Sequence, residues 1–310
     1  MALNPYFITA IATPLLEDDA LHVEALEKEI ADQFDAGING LLVAGTMGSM
    51  QLLTDDTYSQ LVRRSIEFAG RRGEILVGAG DSSLGRTLDR IKFLNSLPID
   101  GVVVLAPFMT IPSQDELIDY YRAIADASRA PLFLYDIPQL TRAKIEIDTV
   151  LTLAKHPNIK GIKCSDDPAY MRQLIDLIGG EFRVVMAAAL LLDTFLRQGF
   201  REHLDGIFCL FPQHVVALGR AAANEDWCAA AQIQHGINRT MRLLRGYALW
   251  PAITTLMNDL GTPGKFRPRP YRNWNIDEIE RFLADPETQE VLRFLSGKTT
   301  AAAFKSEEQK

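Results

Sequence analysis

Hydrophobic positions along this chain fall into short solid runs separated by longer amphipathic stretches. The runs lie at 8–12, 40–44, 75–79, 101–105, 132–135, 159–164, 183–187 and 206–210. The stretches between them are 21–36, 54–69, 84–97, 114–127, 147–154, 170–178, 190–199 and 213–224. A run of roughly 4–8 apolar residues reads as a buried strand, and helical spacing over a longer window reads as an amphipathic helix. Their alternation every ~25–35 residues is the rhythm of repeated βα units. Ser113 with Glu116 three residues on predicts a capped start for the helix at 114.

Eight strands, each followed by a helix, predict an α/β fold of the (β/α)8 TIM-barrel type. A doubly wound sheet would carry a glycine-rich dinucleotide loop after its first strand. Here that strand runs into Thr13-Pro14-Leu15-Leu16 instead. Further helices are expected at 227–244, 251–260, 277–283 and 289–295, and prolines at 263, 268 and 270 make the segment 263–270 an extended connection. The expected organisation is a barrel over 1–225, a C-terminal helical extension over 226–296 and a disordered tail over 297–310.

Composition narrows the partners. The 310 residues are 47% hydrophobic and 23% charged, with a net charge of −8. That balance argues against a nucleic-acid partner. No stretch reaches the ~18 apolar residues of a membrane span. The N-terminus lacks the basic start of a signal peptide. Cys164, Cys209 and Cys228 are too few and too scattered for a disulfide framework or a zinc ribbon, so a reducing cytoplasm is expected. His22, His156, His203, His214 and His235 are isolated singles, and no metal site is expected.

Barrel chemistry sits at the C-terminal ends of strands. The run ending Gly161-Ile162-Lys163-Cys164 puts a lysine there, and alternation turns Lys163 to the face opposite Lys160 and Cys164. An amine at such a place can attack a carbonyl to form a Schiff base, or it can simply pair with Asp166 or Asp167. Tyr135 ends the preceding strand, one βα unit earlier, so the two side chains belong to neighbouring strand ends. An amine and a phenol converging at a barrel mouth can form an imine and move protons around it. After the second strand, Gly45-Thr46-Met47-Gly48-Ser49 is a turn whose backbone can approach a ligand and whose N–H groups can bind a carboxylate.

Taken in order, Gly45-Thr46-x-Gly48, Tyr135-Asp136-Ile137-Pro138 and Gly161-Ile162-Lys163 resemble the dihydrodipicolinate synthase / N-acetylneuraminate lyase superfamily. The opening Ala10–Pro14 and the turn Pro112-Ser113-Gln114 resemble it too, so the likeness runs over roughly residues 5–295. The resemblance implies a barrel enzyme with a C-terminal helical extension, commonly a homotetramer, working without metal or cofactor. It implies Lys163 as the Schiff-base lysine for pyruvate or a longer 2-oxo acid and Tyr135 as the proton shuttle. Gly45, Thr46 and Met47 would hold the 2-oxo carboxylate.

Departures from the family pattern shape the functional expectation. Synthases carry a hydroxyl residue where this chain has Met47, a glutamate at Ser49, a second tyrosine at Met109 and a carboxylate-binding arginine at Leu140. Ala187 opens an alanine stretch where polar residues are usual. With Phe208, these positions would line an apolar distal pocket. The expectation is a Schiff-base aldolase joining pyruvate and an aldehyde, or cleaving their adduct, other than dihydrodipicolinate synthase. The alternatives are a dehydratase of a 3-deoxy-2-oxo sugar acid working through the same imine, and a catalytically weakened metabolite-binding relative.

Overall fold

The computed structural model describes residues 4–178 and 181–297, so the stretch 298–310 of the expected tail lies outside the described residues. Eight parallel strands close into a barrel in sequence order: β1 (Tyr6–Ala10), β2 (Gly40–Val43), β3 (Glu74–Gly78), β4 (Gly101–Leu105), β5 (Leu132–Asp136), β6 (Ile159–Cys164), β7 (Arg183–Met186) and β8 (Glu202–Asp205). β8 pairs back onto β1 and closes the ring. The strands carry β-branched and leucine side chains with almost no exposed position, because a parallel barrel is covered on both faces. Helices start where the sequence supplies an acceptor for their free N–H groups. Thr54 caps the helix Asp55–Ala69, Ser83 caps Leu84–Leu94, and Ser113 forms a reciprocal capping box with Glu116.

The apolar run 206–210 predicts the eighth strand, but the strand lies just before it. Glu202–Asp205 pairs with β1, and the run itself coils into a 3-10 turn, Ile207–Leu210. The strand was hidden because its ends are acidic and only its two middle residues are buried. Likewise 190–199 is not one helix: a 3-10 turn, Ala189–Leu191, leads into the short helix Leu192–Arg197.

The barrel floor is polar. Arg183 donates to Glu74 at 2.5 and 3.1 Å and to Glu202 at 2.6 Å, while Tyr6 donates to Glu74 at 3.2 Å. The Arg183 guanidinium also lies 5.2 Å from the centroid of the Phe133 ring, which fills the space between Gly101 and Gly161.

The barrel's last helix, Pro212–Ala223, packs on the long helix Trp227–Arg245. Leu249–Asp259, Ile276–Ala284 and Pro286–Leu295 follow it. The connection before Ile276 reaches back across the C-terminal ends of the first strands. Leu15 and Lys265 exchange backbone hydrogen bonds at 2.8 and 3.0 Å, and Ser49 donates to the Phe266 carbonyl at 3.3 Å. Among the described residues, no helix is long and apolar enough to cross a membrane, and no group of three or more His, Cys, Asp or Glu is placed to hold a metal ion.

Candidate active site

Strand register brings the amine and the phenol together. Tyr135 and Lys163 are the penultimate residues of β5 and β6 and lie directly opposite one another. Alternation turns both into the barrel, one layer above Phe133 and Gly161. Lys163 Nζ donates to the Tyr135 hydroxyl at 2.9 Å and sits 4.0 Å from that ring's centroid. The Thr46 hydroxyl lies 3.0 Å from the same Tyr135 oxygen. Amine, phenol and alcohol therefore form one short chain, and both Lys163 and Tyr135 are buried.

The acidic residues after β6 are committed elsewhere. Asp166 pairs with Lys144 at 2.8 Å, and Asp167 caps the helix Pro168–Leu177 by accepting from Ala169. Among the described residues, no carboxylate comes within ion-pairing distance of Lys163. Its polar neighbour is a hydroxyl, which leaves the amine available to a carbonyl.

The turn after β2 is tightly made. Met50 N–H donates to Gly45 O and Ser49 N–H to Thr46 O, each at 3.2 Å. Ala44 and Ser49 adopt left-handed backbone at its two ends. Gly48 packs closely there: a Cβ would meet the Thr13 hydroxyl at 3.1 Å and the Ile11 carbonyl at 3.2 Å. Thr13 donates to the Gly48 carbonyl at 2.7 Å and holds the turn against the end of β1. Glu29 steadies that end from the helix Val23–Ala36 by accepting from Ala12 N–H at 2.9 Å. Burial pushes the Glu29 carboxyl up to about 8.

The remaining sequence-selected residues divide. Gly45, Thr46 and Met47 lie on the turn, and Met47 leans across the mouth onto Gly206, where a Cβ would meet its side chain at 2.8 Å. Ala187 continues β7, donating its N–H to the Cys164 carbonyl at 2.8 Å beside Lys163. Met109, on the loop after β4, and Leu140, in the short helix Pro138–Thr141, are 88% and 59% exposed, outside the buried triad. Phe208 does not line the site. It is fully buried, with its ring edge-on to Phe7 at 6.2 Å, as follows from its place on the 3-10 turn beyond β8. Cys164 and Cys209 are buried too, and desolvation pushes both thiols up, away from the reactive thiolate.

Behind Tyr135 and Lys163 lies a cluster that sequence reading passed over. Asp136 is fully buried, contacts Lys144 Nζ and accepts from Ile145 N–H at 3.0 Å. Burial raises its carboxyl, with the Ile145 hydrogen bond and Lys144 acting in the opposite sense. Asp136 was visible as part of a motif; nothing in the local pattern joined it to Lys144.

Barrel, buried amine and hydroxyl chain together define an enzyme of the aldolase type, a lyase working at strand ends. The chain belongs to the dihydrodipicolinate synthetase family, whose model matches residues 5–282. It is 28% identical over 253 residues to the 4-hydroxy-tetrahydrodipicolinate synthase of Exiguobacterium sibiricum, covering 81% of this chain and 82% of the relative. It is 33% identical over 201 residues to that of Stenotrophomonas maltophilia, covering 64% and 66%. The solved synthase of Methylacidiphilum fumariolicum superposes with a TM-score of 0.84 at 26% identity, over 95% of this chain and 96% of the other.

These relatives overturn one expectation. Met47, Met109 and Leu140 argue against the synthase reaction, yet the relatives matched over most of the chain bear the synthase name. Met109, on a loop, and Leu140, in the short helix Pro138–Thr141, are exposed at the rim, and the chain from Lys163 through Tyr135 to Thr46 forms without them.

Proposed function

We propose that the protein is a 4-hydroxy-tetrahydrodipicolinate synthase, condensing pyruvate with an aldehyde through an imine on Lys163. The single observation that carries this reading is the buried Lys163 amine, 2.9 Å from the Tyr135 hydroxyl and free of any carboxylate. The name the relatives bear supports a second substrate by composition. A seven-carbon ring dicarboxylate less the three carbons of pyruvate leaves a four-carbon amino acid aldehyde, aspartate 4-semialdehyde.

The steps follow from the groups present. Lys163 Nζ attacks the pyruvate C2 carbonyl, and the oxygen leaves as water after accepting protons through Tyr135. The protonated imine draws electrons from C3, so loss of a C3 proton gives an enamine. C3 of that enamine bonds to the aldehyde carbon, whose oxygen takes a proton and becomes the 4-hydroxyl. The partner's own amine then adds to C2 and displaces Lys163, closing the ring and freeing the enzyme. Gly45, Thr46 and Met47 hold the pyruvate carboxylate through the turn, and Ala187, Met109 and Leu140 border the space for the aldehyde. The same reading carries a homotetramer in the cytoplasm, supported by the family pattern and by three cysteines that are all free.

Borohydride reduction in the presence of pyruvate tests the reading. A pyruvate-sized adduct on Lys163, and a ring product after adding the semialdehyde, are the expected results. An adduct on a different lysine would sink it.

A further inference from the structure

The Asp136–Lys144–Asp166 cluster lies just outside the two strand ends that carry the chemistry. Asp136 directly follows Tyr135 on β5, and Asp166 is three residues beyond Lys163 on the loop after β6. Lys144 Nζ contacts Asp136 Oδ2 and lies 2.8 Å from Asp166 Oδ2, so one ammonium joins both. The backbone joins them as well, since Ser165 N–H donates to the Asp136 carbonyl at 2.9 Å. Two more elements meet at the same point. Lys144 Nζ sits 3.1 Å from the centroid of Tyr170, whose hydroxyl donates to the Ile145 carbonyl at 2.6 Å. Gln139, in the short helix Pro138–Thr141, donates to the other oxygen of Asp166 at 3.1 Å.

We infer that Lys144 is a positioning residue for the reaction: it ties the ends of β5 and β6 together and thereby sets the separation of Lys163 Nζ from the Tyr135 hydroxyl. The inference rests on the reading of Lys163 as the imine-forming amine. Lys144 touches neither substrate nor the reacting atoms; it acts through Asp136 and Asp166. Its location explains why a fully buried carboxylate is tolerated at the end of β5. Without Lys144 the Asp136 and Asp166 carboxylates lose the ammonium that joins them, and the ends of β5 and β6 lose this tie. Proton transfer depends on hydrogen-bond reach, and displacements on the order of 1 Å cost up to about a hundredfold in rate. Among the described residues, no member of the cluster contacts the turn at Gly45–Ser49 directly; the two meet only through the Thr46–Tyr135 hydrogen bond, so the first effect falls on the Lys163–Tyr135 pair.

Three variants separate positioning from simple stabilisation: Lys144→Met, Lys144→Arg, and the double variant Asp136→Asn/Lys144→Met, which removes the stranded carboxylate together with the ammonium. The readouts are kcat, KM for pyruvate, thermal midpoint, and borohydride adduct on Lys163. Lys144→Met is expected to lower kcat about tenfold or more with KM for pyruvate within about twofold. Lys144→Arg should recover most of that loss, because a guanidinium can bridge the same two carboxylates. The double variant should regain the wild-type thermal midpoint and keep the lowered kcat. A double variant with wild-type kcat would show that Lys144 only stabilises, and so would a Lys144→Met enzyme with unchanged kcat. Wild-type enzyme without an adduct on Lys163 overturns the underlying reading instead, an outcome recognisable before any variant is made.

Discussion

The two ends of the barrel both take charge out of bulk water, half-buried at the floor and buried at the mouth, and they treat it in opposite ways. At the floor, Arg183 is surrounded by acceptors: both oxygens of Glu74, one of Glu202, and the faces of Phe133 and Tyr6. At the mouth, Lys163 is 4% exposed, yet its polar contact is the Tyr135 hydroxyl. A saturated buried ion is a structural element, because each partner offsets the other's desolvation. A buried amine left without a counter-charge is costly to keep, and the fold that keeps it places it for reaction. The floor therefore should govern stability and the mouth should govern turnover.

The largest separation is expected from the mouth. Lys163→Met removes the nucleophile and should abolish turnover by roughly a thousandfold or more, with far-ultraviolet circular dichroism and thermal midpoint near wild type. Tyr135→Phe keeps the amine and the packing but breaks the hydroxyl chain to Thr46. It should lower kcat by about 10²–10³-fold, with pyruvate adducts still trapped on Lys163, only more slowly. Tyr135→Phe enzyme turning over at the wild-type rate would remove the phenol from the mechanism. The floor should answer in the other currency: Arg183→Met strands Glu74 and Glu202 and should cost about 3–5 kcal/mol in denaturant unfolding. Its kcat and KM per folded molecule should stay within about twofold, and a large kcat loss at full folding would erase the division between the ends.

The mouth was more legible in the sequence than the floor. Lys163 and Tyr135 could be paired because strand parity and one βα unit of spacing are properties of the chain itself, and the register of β5 against β6 agrees. The floor joins Tyr6, Glu74, Arg183 and Glu202, the first residues of four strands far apart in sequence, which only the closed barrel brings together. The Lys144 cluster was hidden for the same reason: its members come from two loops and a strand end. The eighth strand was misplaced because strength of hydrophobicity was taken for strand position. The apolar run Ile207–Leu210 is buried by the closing turn, while the strand itself begins and ends on carboxylates. Phe208 was carried into the candidate pocket by that same displacement.

The smallest effect tests whether the outer wall near the floor is as rigid as the network inside it. His203, on the outward face of β8, is fully buried beneath Phe7, with ring centroids 5.8 Å apart. Its Nε2 lies 3.2 Å from the Phe200 carbonyl and donates to it, and its Nδ1 has no partner among the described residues. A second ring proton would find no acceptor, and desolvation lowers the imidazole to about 4. The sign follows: below its ordinary value of 6.5 the unfolded chain takes up a proton that the folded chain refuses. Stability should therefore fall as pH drops from about 6.5 to about 4, by roughly 2–4 kcal/mol, and this contribution should not change further below that range. Urea unfolding at neutral and mildly acid pH measures it, with His203→Gln as the non-titrating reference. The variant should be less stable than wild type at neutral pH, yet lose less on acidification by about that amount. Equal losses in the two proteins would mean that the wall opens enough to hydrate the ring.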